Sequence, residues 1–174
     1  MREKIGEVAH IFISPRQGNL EHPEENRIIE LDSVRVVENG FEGDRYSGSG
    51  ETPGFWQVVD QKLPAEKRKV RDGSGLSLED LEEENLRNGT NLEPIDTRRN
   101  LAFKGISKVQ RLIGETLQIG DSVWEIPGDC NSCNRPSKLS GKPGYEKHKE
   151  AGGIRMKVKE TGEIKKGDGV YLLD

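Results

Sequence analysis

Apolar residues in this chain fall in short runs, many of them β-branched, and most runs close on glycine, asparagine or proline. The first, "KIGEVAHIFIS" (4–14), carries Ile5, Val8, Ile11, Phe12 and Ile13 and meets Ser14-Pro15, which predicts a strand. "RIIELDSVRVV" (27–37) predicts a second strand with a bulge, ended by Asn39-Gly40, and "QVVD" (57–60) a short third. After Asn100 the runs "LAFKG", "VQRLIG", "TLQIG" and "SVWEI" read as strands separated by glycines, and "IRMKV" as a later one. "IGDSVWEI" (119–126) and "KGDGVYLL" (166–173) each place Gly-Asp before an apolar strand, which reads as repeated hairpin chemistry. Helical spacing is clearest in "SLEDLEEENLRNG" (77–89). Ser77 is placed as N-cap, Glu79 and Asp80 in the first turn, Leu78, Leu81 and Leu86 near one face, and Asn88-Gly89 as the stop. A short helix is also expected within "GKPGYEKHKEAGG" (141–153).

Many short strands with one or two short helices predict a mainly β fold, a closed or nearly closed β-barrel. A doubly wound fold is excluded, because it needs long helices alternating with the strands. The 174 residues make one domain, 1–174, and the 31% hydrophobic share gives it a lean core. A net charge of -4, with both signs interspersed, argues against wholesale nucleic-acid binding, which needs a basic face. No apolar run approaches the roughly 20 residues of a membrane span, and "MREKIGEVAHIF" lacks the apolar core of a signal peptide, so a cytoplasmic protein is expected. In that compartment two cysteines are free, metal-bound or redox-active rather than a structural staple.

Those two, Cys130 and Cys133, lie in "GDCNSCNRPSK" (128–138), with Arg135 and Lys138 close behind. The Cys-x-x-Cys spacing suits a metal knuckle. Zinc needs two further ligands, however, and His10, His22 and His148 have no ligand spacing. A thioredoxin-like dithiol needs the start of a helix in a βαβ unit, whereas "NRPSKLSGKPG" reads as loop. Two ordinary, partly buried cysteines remain a third reading. "GFEGDRY" (40–46) is a tight loop in which Asp44 holds Arg45 or caps backbone, and Arg45 meets a phosphate or carboxylate; a surface ion pair explains the same letters. "GSGETPG" (48–54) misses the phosphate-loop spacing by one residue. "TRRNLAFKG" (97–105) puts Arg98, Arg99 and Asn100 before a strand, where alternation allows one arginine to face a pocket and the other water; scattered surface arginines explain the same letters.

The motifs "GEVAHIFIS", "VRVVENGFEGDRY", "RRNLAFKGI", "IGETLQIGDSVWEI", the cysteine segment, "GGIRMKV" and "GEIKKGDGV" occur in an order that resembles MOSC domains. These are relatives of the C-terminal part of molybdenum-cofactor sulfurase, also found as small stand-alone proteins. The resemblance spans roughly residues 3 to 173 and implies a barrel of the pyruvate-kinase β-barrel kind. It implies a molybdenum (or tungsten) pterin cofactor with Cys133 as working sulfur and metal ligand. Gly43, Asp44 and Arg45 fall at the family's G-D-R positions and Arg98 and Asn100 at its R-x-N positions, all with cofactor-binding roles. A reductase of N-hydroxylated compounds is implied, or alternatively a persulfide sulfur carrier or a non-catalytic binding module. The chemistry is consistent, since molybdenum is thiophilic and arginine forks hold phosphate. The sequence departs from the family in having Tyr46 where histidine is usual and Ser132 where proline usually precedes the cysteine. With no pyridoxal-phosphate domain in the sequence, sulfur loading implies a partner cysteine desulfurase, and reduction an electron-donor protein. Neither nucleic acid nor membrane is an expected partner.

Overall fold

The computed structural model describes residues 2–174. Its central feature is a seven-stranded closed barrel. The first strand, β1 (Arg2–Ile13), is long enough to pair with three partners in turn, and β2 (Ile29–Leu31) attaches to its C-terminal end. Next come β3 (Ser33–Val37) and β4 (Gly40–Phe41), α1 (Phe55–Asp60), β5 (Gly73–Ser77), α2 (Leu78–Asn88), β6 (Leu101–Lys104), β7 (Thr116–Ile119) and β8 (Ser122–Asp129). The chain closes with α3 (Arg135–Ser140), β9 (Ile154–Glu160), β10 (Gly162–Lys165) and β11 (Gly169–Leu173). The barrel runs β1-β11-β7-β8-β9-β5-β6 and returns to β1, while β10, β3 and β4 form a separate three-stranded sheet. All barrel pairings are antiparallel except that of β5 with β6.

Alternation along these strands sends one side chain in two into the barrel, and the interior closes around Ile11, Leu101, Phe103, Leu117, Ile119, Trp124, Ile154, Met156 and Val170. Trp124 stacks on Phe41 at 5.2 Å, which ties the small sheet to the barrel, and its indole N–H donates to Ser122 Oγ at 2.8 Å. A second cluster outside the barrel, Leu76, Leu81, Leu92, Ala102 and Tyr145, seats α2. Ser77 Oγ accepts from the Asp80 N–H at 3.0 Å and Gly89 ends the helix in the left-handed region, as expected from the sequence. The Asp80 carboxylate in turn accepts from the Lys108 and Val109 N–H groups, fastening α2 to the loop after β6.

Several expectations are corrected. "QVVD" lies in helix α1, started by the extended Gly54 whose carbonyl takes the Val58 N–H. Residues 27–37 form two strands in different sheets, and Val109–Leu112 is a 3-10 turn because Asp80 caps its entry. Gly120-Asp121 does close a β7–β8 hairpin, but Gly167-Asp168 does not close one, since β10 pairs with β3 and β11 with β1 and β7. Residues 145–151 make two 3-10 turns in place of a helix, and Leu86 is exposed rather than facing α2's packed side. "NRPSKLS", read as loop, contains α3: Pro136 is tolerated in its first turn and Gly141 caps its end. Among the described residues no helix is long and apolar enough to cross a membrane.

Candidate functional site

The N-terminal ends of β5, β6 and β9 converge with the C-terminal ends of β1 and β8, and the loops leaving these ends enclose a cavity of about 280 Å³. Cys130 and Cys133 both line it, as do six arginines: Arg45, Arg71, Arg98, Arg99, Arg135 and Arg155. Among the described residues no carboxylate lines it. Cys130 is half-buried and Cys133 exposed, and the two thiols are free.

Close backbone contact holds the cysteine turn in place. The Cys130 N–H donates to Gly153 O at 2.8 Å. Gly152 lies so near Cys130 O that a Cβ there would collide with it and would stand 2.9 Å from Ser132 N. Arg99 supplies the side-chain clamp. Its Nε donates to Gly152 O at 2.8 Å and its Nη2 to Asn131 O, between the cysteines, at 3.0 Å. Burial alone would lower the pKa of this guanidinium, but Tyr145 and the two sulfurs outweigh burial and hold it above its ordinary value.

The expected R-x-N residues divide their labour. Arg98 sits in the left-handed region, φ 60°, capping a 3-10 turn (Pro94–Thr97), so the strand begins only at Leu101. Strand alternation therefore does not apply, and both Arg98 and Arg99 reach the cavity. Arg98 donates to Asn26 Oδ1; burial, with Arg45 and Arg135 nearby, lowers its pKa to about 9. Asn100 borders the cavity, but its amide is committed to the frame: Nδ2 donates to Phe12 O at 3.1 Å, and Oδ1 accepts from Ser74 N and Oγ.

In the G-D-R loop, Gly43 provides the turn at φ 87°. Asp44, 1% exposed, lies beneath the cavity wall and accepts from the Ser14 N–H at 2.8 Å and the Tyr46 N–H at 3.3 Å, with the Asn100 amide at 3.5 Å. Neither residue lines the cavity. Arg45 does: its guanidinium lies 4.4 Å over the Tyr46 ring and 3.6 Å from Asp44, and its buried Nε has no hydrogen-bond partner. The Tyr46 ring packs so closely on Gly54 that any side chain there would strike it. The phenol at the usual histidine position is thus a platform for Arg45. Arg71 and Arg155 escaped the sequence reading; Arg71 pairs with Asp60 at 2.8 Å, and Arg155 holds Asp129 O at 3.0 Å. The one local signal for Arg155 is its place directly after the Gly152-Gly153-Ile154 run.

A cavity rich in arginine, with thiols at its edge and an orphaned guanidinium N–H, is chemically suited to a phosphorylated ligand bearing a thiophilic centre. Zinc is less well served. Among the described residues the only cluster of three possible metal ligands, His22, Glu24 and Glu25, includes neither cysteine.

The profile of the MOSC domain matches residues 73–171, more than half of the chain, which therefore belongs to the MOSC domain family, a family associated with molybdenum-cofactor binding and sulfur chemistry. Among solved structures it is similar to the YUAD protein of Bacillus subtilis, at 17% identity and TM-score 0.73 over 99% of this chain and 97% of that one. It is also similar to YiiM of Geobacillus stearothermophilus (12% identity, TM-score 0.59, all of this chain, 76% of that one) and YiiM of Escherichia coli (13%, 0.59, all of this chain, 70% of that one). At these identities the likeness establishes the fold alone. No functionally curated protein matches the sequence.

Proposed function

We propose that the cavity holds a molybdenum or tungsten pterin cofactor and that the protein reduces small N-hydroxylated compounds. The observation that carries this reading is the gathering of both thiols and six arginines around one cavity with no lining carboxylate. Arg45, Arg98 and Arg135 hold the cofactor phosphate. The unpartnered Arg45 Nε and the mutual repulsion that burial imposes on this trio are both relieved by a dianion. Asp44, Gly43 and Asn100 act one step back, fixing the loops from which Arg45 and Arg98 project. Cys133 is the sulfur ligand, a soft donor for a thiophilic metal. The bound cofactor supplies a redox-active metal centre. The chain supplies the anion cradle, the sulfur and the Arg99 clamp that keeps the cysteine turn against β9.

The exposure of Cys133 favours a second reading, a sulfur carrier. In that role its thiolate takes the outer sulfur of a donor persulfide and releases the donor thiolate, the donor being a separate cysteine desulfurase. The two readings separate on isolation from an anaerobic, molybdenum-replete host. The reductase reading expects metal and pterin in near-equal amounts, lost in Cys133→Ala and kept in Cys130→Ala. Stoichiometric metal in Cys133→Ala would refute the ligand assignment. Metal-free protein that gains one sulfur on the Cys133 peptide after treatment with a desulfurase and cysteine would establish the carrier instead.

A further inference from the structure

The hydrogen bonds of the cavity arginines sort them into two groups on different walls. Arg98 and Arg135 reach toward the loop after β1, to Asn26 Oδ1 and Gly18 O, and the Arg45 backbone is anchored to the same loop, its main-chain N–H donating to Ser14 O at 3.0 Å. Arg99 and Arg155 hold the opposite strand end, taking Asn131 O and Asp129 O at 3.0 Å each. Arg155 also spans to Val70 O at 3.4 Å, beside Arg71, whose guanidinium lies 5.5 Å over the ring of Trp56. This second wall therefore runs continuously from the cysteine turn to an indole at the cavity's edge.

Charge along that wall is unevenly balanced. Asp60 neutralises Arg71, whereas among the described residues no ion pair includes Arg99 or Arg155. Carbonyl groups take two of the five N–H donors of each, leaving donors for a ligand. Trp56 is 48% exposed and its ring is held edge-on by Phe55 at 5.0 Å, an unusual outlay of aromatic surface in a chain with only two tryptophans. Trp56 carries the paired Arg71 at its ring and lines the same cavity as the unpaired Arg155, and a half-exposed indole sharing a cavity with an unpaired guanidinium matches a flat, conjugated molecule bearing one negative charge.

We propose that Arg155 and Trp56, with Arg99, form a substrate subsite for small aromatic anions, separate from the arginine trio. The proposal rests on the reading above in assigning the trio to the cofactor phosphate. Arg155 takes the anionic group, Trp56 stacks the ring, and the bound molecule lies along the wall that runs from the cysteine turn to the indole.

Benzoate serves as the probe, with the cofactor-free protein and tryptophan emission as the readout, because Trp124 is fully buried and Trp56 is not. Benzoate should change the Trp56 emission saturably. Benzamide, which keeps the ring and loses the charge, should displace it about tenfold less well or worse, the worth of one charge-assisted hydrogen bond. Cyclohexanecarboxylate, which keeps the charge and loses the flat ring, should also be weaker. Arg155→Gln should abolish the preference for benzoate over benzamide, and Arg135→Gln should leave it intact. Saturating inorganic phosphate should not displace benzoate. Equal binding of benzoate and benzamide, an unchanged preference in Arg155→Gln, or competition with phosphate would each overturn the subsite. If Arg155→Gln does not fold, Trp56→Leu, a change at a half-exposed position, decides: benzoate binding followed by calorimetry should weaken, and unchanged binding overturns the proposal. Failure of the cofactor reading shows separately, as phosphate binding unaffected by Arg98→Gln or Arg135→Gln while benzoate behaves as described.

Discussion

At the scale of single residues, the cysteine turn depends on an atom that is missing. Gly152 lets Cys130 O lie directly against its Cα, and a methyl group there cannot be accommodated without moving the turn or β9. Gly152→Ala should therefore cost about 1–3 kcal/mol, the usual penalty of overpacking a fixed contact. It should also raise the rate of alkylation of Cys130 relative to Cys133, read by mass spectrometry of the two modified forms. A stable variant with unchanged alkylation would show that the close contact at Gly152 does not set the position of the turn, leaving that to Arg99 and the Cys130 N–H bond to Gly153 O. Single residues were also where the sequence was most legible. Ser77 declares its helix by the residues that follow it, whereas Cys133, Arg45 and Arg98 are singled out by the order of the motifs that contain them. The expectation that Arg98 and Arg99 face opposite ways fails because Arg98 adopts a left-handed backbone at the end of a 3-10 turn, itself fastened by a capping box between Glu93 and Asp96, where no strand period applies.

At the scale of elements, the contact between α2 and the 145–151 turns contains a proton-sensitive joint. Leu92 N and the Thr90 hydroxyl both donate to Asn85 Oδ1, so Thr90 Oγ1 is left to accept from His148 Nε2 at 2.5 Å. That assigns the proton of the neutral ring to Nε2 and leaves Nδ1 buried with no partner. Burial therefore lowers the His148 pKa below its usual 6.5, against weaker opposing effects from Glu84 and Glu146. The unfolded chain binds this proton more readily than the folded one. Stability from this site is full above about pH 6.5 and is lost as pH falls through the lower folded value. Thermal unfolding between pH 7 and pH 5 should show this decline, and His148→Gln should flatten it. A decline of equal slope in the variant would assign it to other groups. Elements were only partly legible in the sequence. The barrel strands and α2 follow local patterns, but β2 and β3 separate into two sheets, and β10 leaves β11, because each finds a distant partner that no local pattern specifies.

At the scale of the whole molecule, the arginines illustrate why a site can be invisible in a sequence whose net charge is -4. Arg45, Arg71, Arg98, Arg135 and Arg155 are spread over 111 positions and meet only because the ends of β1, β5, β6, β8 and β9 are brought together by barrel closure. Acidic residues outnumber basic ones overall, yet none of those described lines this cavity, so a local field of opposite sign to the net charge faces the ligand. Inorganic phosphate should therefore raise the unfolding temperature of the cofactor-free protein, in line with a stabilisation of about 2.7 kcal/mol at a hundredfold excess over its dissociation constant. The shift should shrink as sodium chloride is raised, since screening acts over about 10 Å at 0.1 M. A salt-independent shift would mean that the anion binds elsewhere.

Strand β1 gives this convergence an order in time. Arg2 pairs with Leu173, so the seam of the barrel joins the first and last strands, while the other end of β1 presents Phe12 O and Ser14 N to Asn100 and Asp44. During synthesis β11 follows every other strand of the barrel, and until it docks the half of β1 at residues 2–7 has an unfilled edge. A chain lacking β11 leaves that half of β1 without this partner, while the end at residues 11–13, which anchors Asn100 and Asp44, keeps its own partners in β2 and β6, so the cradle is braced from the side of the barrel away from the seam.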